Sequence, residues 1–144
     1  RTMRITVASA AVAAIAAALA LPASGAEGVL HMRCAWKKVT DMKTLQTKPQ
    51  PGGTDFYYSP ASDLTGTMTK DGFDHPFVAG IRDRLIEGVA HYQAEGAAAE
   101  QRVEINRYTG AIKNLVMTAT STEVLEGTCT RISGPDFGQQ GEGQ

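Results

Sequence analysis

The run Val103-Glu104-Ile105-Asn106-Arg107-Tyr108-Thr109-Gly110-Ala111-Ile112-Lys113-Asn114-Leu115-Val116-Met117-Thr118-Ala119-Thr120 decides the fold class. Within 102–107, Val103 and Ile105 alternate with Glu104 and Asn106, the period of a half-buried strand. Tyr108-Thr109-Gly110 then offers a three-residue hairpin loop, because Gly110 is free to take the positive φ that closes a type I turn and bulge. Residues 112–120 return as a β-branched strand. Thr122-Glu123 reads as the next turn, and 124–132 (VLEGTCTRI) as the last strand, with Leu125, Gly127 and Cys129 on one face.

The same alternation appears upstream. In 29–39 (VLHMRCAWKKV), Leu30, Met32, Cys34 and Trp36 share one parity, while His31, Arg33, Ala35 and Lys37 share the other. That is a half-buried strand with its cysteine on the apolar face. Residues 40–53 carry Pro49, Pro51, Gly52 and Gly53 and read as a loop, with room for a short helical turn at 41–45. Residues 54–59 (TDFYYS) form a short aromatic strand ended by Pro60, and 64–69 (LTGTMT) another, closed by Lys70-Asp71-Gly72. The stretch 80–101 is ambiguous. Ile81, Leu85 and Val89 recur at helical spacing and the alanines favour helix, but Gly88 and Gly96 weaken one. The balance predicts a strand at 83–92 and a loop at 93–100. The expected architecture is all-β: an antiparallel meander sheet or small barrel, with at most one short helix.

Residues 1–26 read as an export signal. Arg1 and Arg4 precede an uncharged Ala/Val/Ile/Leu stretch over 5–21, Pro22 follows, and Ala23-Ser24-Gly25-Ala26 supplies small residues for a peptidase. The rival is a membrane anchor, for which 17 uncharged, Ala-rich residues are short. A lipidated start is disfavoured, since Cys34 lies eight residues beyond Ala26. Loss of 1–26 removes two of the 14 basic residues and none of the 15 acidic ones, leaving a net charge of −3 on 27–144. So near-neutral a chain offers no phosphate-neutralising surface for nucleic acid and no polybasic anchor for a membrane. The expected organisation is one β domain over 27–132 and a disordered, Gly-rich tail over 133–144, in a periplasmic or secreted protein.

Two cysteines in an exported chain invite one disulfide, Cys34 to Cys129. Neither has a CxxC partner of the kind that tunes a reactive thiol.

The segment 103–111, together with the closing Glu126-Gly127-Thr128-Cys129, resembles a group of small exported proteobacterial proteins of unknown function. They share an INR-x-TG strand–turn–strand and a final G-x-C strand. The resemblance implies an extracytoplasmic compartment and a β-fold, and it lends no catalytic residues.

Little chemistry is legible. His31, His75 and His91 show no metal-ligand spacing, and Asp74-His75-Pro76 reads as a solvated turn. Nucleophile-elbow and phosphate-cradling glycine motifs are missing. The glutamates at 87, 95, 100, 104, 123 and 126 show no pairing. No catalytic, metal or cofactor-binding residue is expected, and no enzyme. Asn106 is expected to bond the turn backbone and Arg107 to lie across a neighbouring strand, with a ligand-gripping role the lesser option for Arg107.

The candidate partner-binding residues are Phe56, Tyr57 and Tyr58, near Trp36, Phe73 and Phe77 in composition. Consecutive aromatics on a strand point to both faces, so at least one of them leaves the core. Two functions fit: an interaction module or inhibitor binding an unknown envelope protein, or a calycin-like barrel carrying a small apolar ligand. A filled interior favours the first and an apolar void the second.

Overall fold

A side chain that alternates in polarity over nearly every segment can be satisfied only by a sheet with an inside and an outside. The computed structural model describes residues 28–50, 52–61, 65–82 and 84–135. Among these, nine strands form: β1 (Val29–Asp41), β2 (Gln46–Pro49), β3 (Thr54–Pro60), β4 (Thr65–Lys70), β5 (Phe73–Arg82), β6 (Leu85–Ala94), β7 (Ala97–Asn106), β8 (Ala111–Met117) and β9 (Thr122–Ser133). Every pairing is antiparallel, and β9 returns to pair with β1. The sheet is a closed eight-stranded meander barrel in which β2 is an extra piece. Its pairing occupies 38–41 of β1, and β3 takes 29–35 on the same edge, so β2 and β3 act as one strand broken at Pro49–Gly53. Trp36 N–H to Gly53 C=O (2.9 Å) and Gln50 N–H to Lys37 C=O (2.8 Å) bridge the break.

Closure rests on β1 against β9. Cys34 and Cys129 face each other in register, and their side chains form the disulfide, both buried inside the barrel. A bulge between Trp36 and Lys38 brings Ala35 C=O within 2.0 Å of where a Cβ on Gly127 would stand, so only glycine fits there. Inward residues fill the lumen: Leu30, Met32, Met68, Phe77, Ile81, Ile86, Val103, Ile105 and Ile112 are all buried. Burial of each large member is worth about 1.5–3 kcal/mol.

The 103–112 hairpin forms as read. Gly110 has φ +81°, and Asn106 Oδ1 accepts the N–H groups of Tyr108 (2.8 Å) and Thr109 (3.0 Å). Elsewhere the structure corrects the reading. No helix forms among the described residues. Residues 41–45 do close as a single turn, Leu45 N–H donating to Asp41 C=O (2.7 Å) while Asp41 Oδ1 accepts Lys43 N–H (2.8 Å) and Thr44 N–H (3.3 Å), and it hands the chain to β2 within the expected loop. The expected loop at 93–100 is strand at both ends. Glu95 (φ 54°) and Gly96 (φ 81°) make a two-residue hairpin turn, with Ala94 opposite Ala97. Alanines masked it, being helix formers that a barrel wall accepts wherever a small side chain fits. The final turn falls at 118–121, where Thr118 Oγ1 accepts Ser121 N–H (3.1 Å), and Thr122-Glu123 belong to β9. Ser133 also lies in β9, while the rest of the expected tail from 136, and the 1–26 leader, fall outside the described residues.

Replacing both cysteines by alanine should lower unfolding free energy by up to about 4–5 kcal/mol, the chain-entropy value for a loop of this length, read by urea denaturation. Gly110→Val should also destabilise by 2 kcal/mol or more, roughly, because its Cβ would stand 2.5 Å from Cys129 C=O at a positive φ. Parent-like midpoints would refute the closure and hairpin assignments respectively.

Candidate functional site

Strand parity divides the three candidate aromatics. Tyr57 opposes Met32 of β1 and points inward, fully buried, so it leaves the partner-binding set. Phe56 and Tyr58 point outward. His31, which shares their outward face on β1, stacks on Tyr58 with ring centroids 4.1 Å apart and 12° between planes; Phe56 lies 6.1 Å away. The next outward positions are Thr65, Thr67 and Thr69 on β4 and Pro76 and Val78 on β5, with Val78 75% exposed. The charged residues at outward positions of β3–β5 are Asp74 and, at the far end, Arg82, while exposed Arg33 of β1 stands opposite Phe56; Asp71 lies in the β4–β5 turn, 3.5 Å from the Tyr58 hydroxyl that donates to it. Across the barrel the outward positions of β6–β8 carry Glu87, Glu100, Arg102, Glu104 and Lys113. Charge is thus denser on the β6–β8 side, and the other side carries an aromatic–threonine patch with Arg33 and Asp74 beside it.

A second feature lies inside. Toward the β4–β5 turn the lumen becomes polar. Lys70, opposite Tyr57, donates from Nζ to Gln101 Oε1 (3.1 Å); Asn114 Nδ2 donates to the same oxygen (3.2 Å), and Gln101 Nε2 donates to the Tyr92 hydroxyl (3.3 Å). The Lys70 ammonium also lies 5.0 Å from the Phe73 ring centroid and 5.7 Å from that of Tyr57. Burial holds the Lys70 amine below the usual lysine range, with the Asp55 carboxylate pulling the other way. Asp55 itself accepts Trp36 Nε1–H (2.8 Å). Two fully buried atoms of this region, Tyr57 Oη and Asn114 Oδ1, have no hydrogen-bond partner. Burial, reinforced by the nearby Asp55 charge, pushes the Tyr57 phenol far above the usual tyrosine range.

The remaining candidates do not converge. Asp74-His75-Pro76 lies in β5 rather than in a turn, and there Asp74 and His75 point to opposite faces. His75 stacks on Tyr92 at 5.1 Å, and His91 pairs with Glu100 on the outer wall at 3.5 Å. Among the described residues no group of three or more His, Cys, Asp or Glu is placed to hold a metal. Sequence reading missed the lumen cluster, yet its signal was present: Gln101 shares parity with Val103 and Ile105, and Asn114 with Ile112, so both polar side chains sit at inward positions.

Comparison with protein-family models, with curated proteins and with solved structures finds no match for this chain.

Tyr57→Phe removes a buried hydroxyl that makes no bond, and should raise stability by about 1 kcal/mol at neutral pH. The unfolded phenol ionises near pH 10 while the native one stays protonated, so stability falls as pH climbs beyond about 10. The Phe variant should lose less there. Urea midpoints at neutral and alkaline pH check both signs, and a destabilised variant would show that the hydroxyl is bonded.

Proposed function

We propose that this chain is a non-catalytic binding module of the cell envelope that engages a protein partner through the outer face of β3–β5. The observation that carries the reading is the His31–Tyr58 stack beside Phe56, bordered by the outward threonines of β4, with Arg33 opposite Phe56 as its adjoining cation. Interface centres favour tyrosine and phenylalanine and disfavour charge, and a ring already stacked on a barrel wall loses little freedom on binding. The leader-like 1–26, the disulfide and the resemblance of the 103–129 region to small exported proteins support placement outside the cytoplasm. No helix among the described residues is long and apolar enough to cross a membrane.

The alternative, a carrier of a small apolar ligand, draws its support from the closed barrel. The lumen's contents weigh against it: one end is packed with isoleucine, valine, methionine and phenylalanine, and the other is occupied by Lys70, Gln101 and Asn114. A carrier needs an apolar space of a few hundred Å3, roughly, that buries most of its ligand.

A photo-crosslinking residue placed at Thr69, opposite Tyr58 but outside the core, should give a discrete protein adduct in envelope preparations. The same residue at Gln93, on the charged side, should not. The adduct should vanish in a Phe56→Ser/Tyr58→Ser variant that keeps the parent's circular dichroism. Equal labelling from both positions would overturn the assignment. Native mass spectrometry of the purified protein addresses the alternative: a reproducible bound apolar molecule would place the carrier ahead.

A further inference from the structure

At the opposite end from Lys70, the β5–β6 and β7–β8 turns are tied together by Arg107 N–H donating to Arg84 C=O at 2.7 Å. Between them lies a hollow of about 460 Å3 lined by Arg82, Arg84, Leu85 and Asn106. Arg82 and Arg84 of one turn thus border, with Asn106 from the other, a single concavity of a protein whose net charge is negative. The Arg84 guanidinium lies 5.4 Å from the Tyr108 ring centroid and has no ion pair with a described residue. The ring contact holds the guanidinium near Tyr108 while leaving its N–H groups without a carboxylate among the described residues. Arg82 gives one bond to Glu87 (2.8 Å), with its side chain 71% exposed, and keeps further donors. Asn106 spends its carbonyl oxygen on Tyr108 N–H and Thr109 N–H, so its NH2 is the part left to donate. Leu85 adds an apolar wall.

We propose that this hollow binds a phosphate oxyanion carried on an apolar or ring-bearing body. Two forked guanidinium groups and an amide NH2 supply more donors than a two-oxygen carboxylate uses, and they match the three free oxygens of a phosphoester. Leu85 and the half-exposed Tyr108 ring give the attached body a surface to rest on. Among the described residues, Glu87 is the acid that holds Arg82 at the rim. The site is distinct from the aromatic face and does not depend on it.

The test is a 1H–15N titration of the full mature chain with sodium phosphate, with sodium chloride at matched ionic strength, and with the phosphomonoester dihexanoylphosphatidic acid below its micelle concentration. Phosphate should move the amides of Arg84, Leu85, Asn106 and Arg107 along a saturable curve that chloride does not reproduce. Arg84→Gln, a surface change that leaves the remaining spectrum in place, should weaken binding by about tenfold, the value of a lost charged hydrogen bond. Glu87→Gln frees Arg82 and should tighten binding by about twofold, a gain that a damaged fold cannot produce. The phosphatidic acid should bind more tightly than inorganic phosphate, and equal binding would overturn the assignment of an apolar body to the ligand. Shifts that follow ionic strength in chloride as well, or an Arg84→Gln protein that titrates like the parent, would overturn the proposal.

Discussion

The pairing of β1 with β9, locked by Cys34–Cys129, is the constraint on which the rest of this molecule depends. A meander of short hairpins has two open edges, and each edge exposes a row of unpaired backbone groups. Joining first strand to last removes both edges at once. It also creates an interior: Leu30, Met32 and Trp36 on β1 are buried because β9 and β3 flank them. Gly127 belongs to the same arrangement, since the bulge that lets the two strands follow the barrel's curvature leaves no room for a side chain there.

Closure has consequences for function. The lumen of an eight-stranded barrel is just wide enough for side chains to fill, and here they do so unevenly. Near the arginine turns it is dry and aliphatic, and near Lys70 it is polar with two unbonded atoms, Tyr57 Oη and Asn114 Oδ1. Buried polar atoms without partners cost stability, so this end of the barrel is held together by the packing around it rather than by its own bonds. Recognition is then left to the outside, where the charged wall of β6–β8 and the aromatic wall of β3–β5 offer different surfaces.

What could be read from the sequence follows from how each element is specified. Alternation identified β1 and β7, because each buries one face and exposes the other, while β3 announced itself by its aromatic run. The β7–β8 hairpin was legible in Asn106 and Gly110, whose side-chain bond and positive φ are local properties. The β6–β7 hairpin was not, since Ala97–Ala99 carry no alternation and the Glu95 conformation is imposed by the strands it joins. β2 was hidden for a related reason: all four of its residues are exposed, so no inward residue announces it. The aromatic pair of the candidate face was visible in the sequence, but its partner His31 was not, because register between β1 and β3 is a tertiary fact. Arg84 and Asn106 meet only through folding.

The arrangement of pairings also fixes where the time goes when this chain folds. Every ladder except one joins strands that follow each other closely along the chain, and such hairpins form by short loop closures. The exception spans 95 residues from Cys34 to Cys129, and its entropy must be met before any of its contacts form. Closure of β1 on β9 therefore carries the largest loop-closure entropy of any ladder in the barrel. The bond that makes the finished protein robust is the one that the folding chain must wait longest to form.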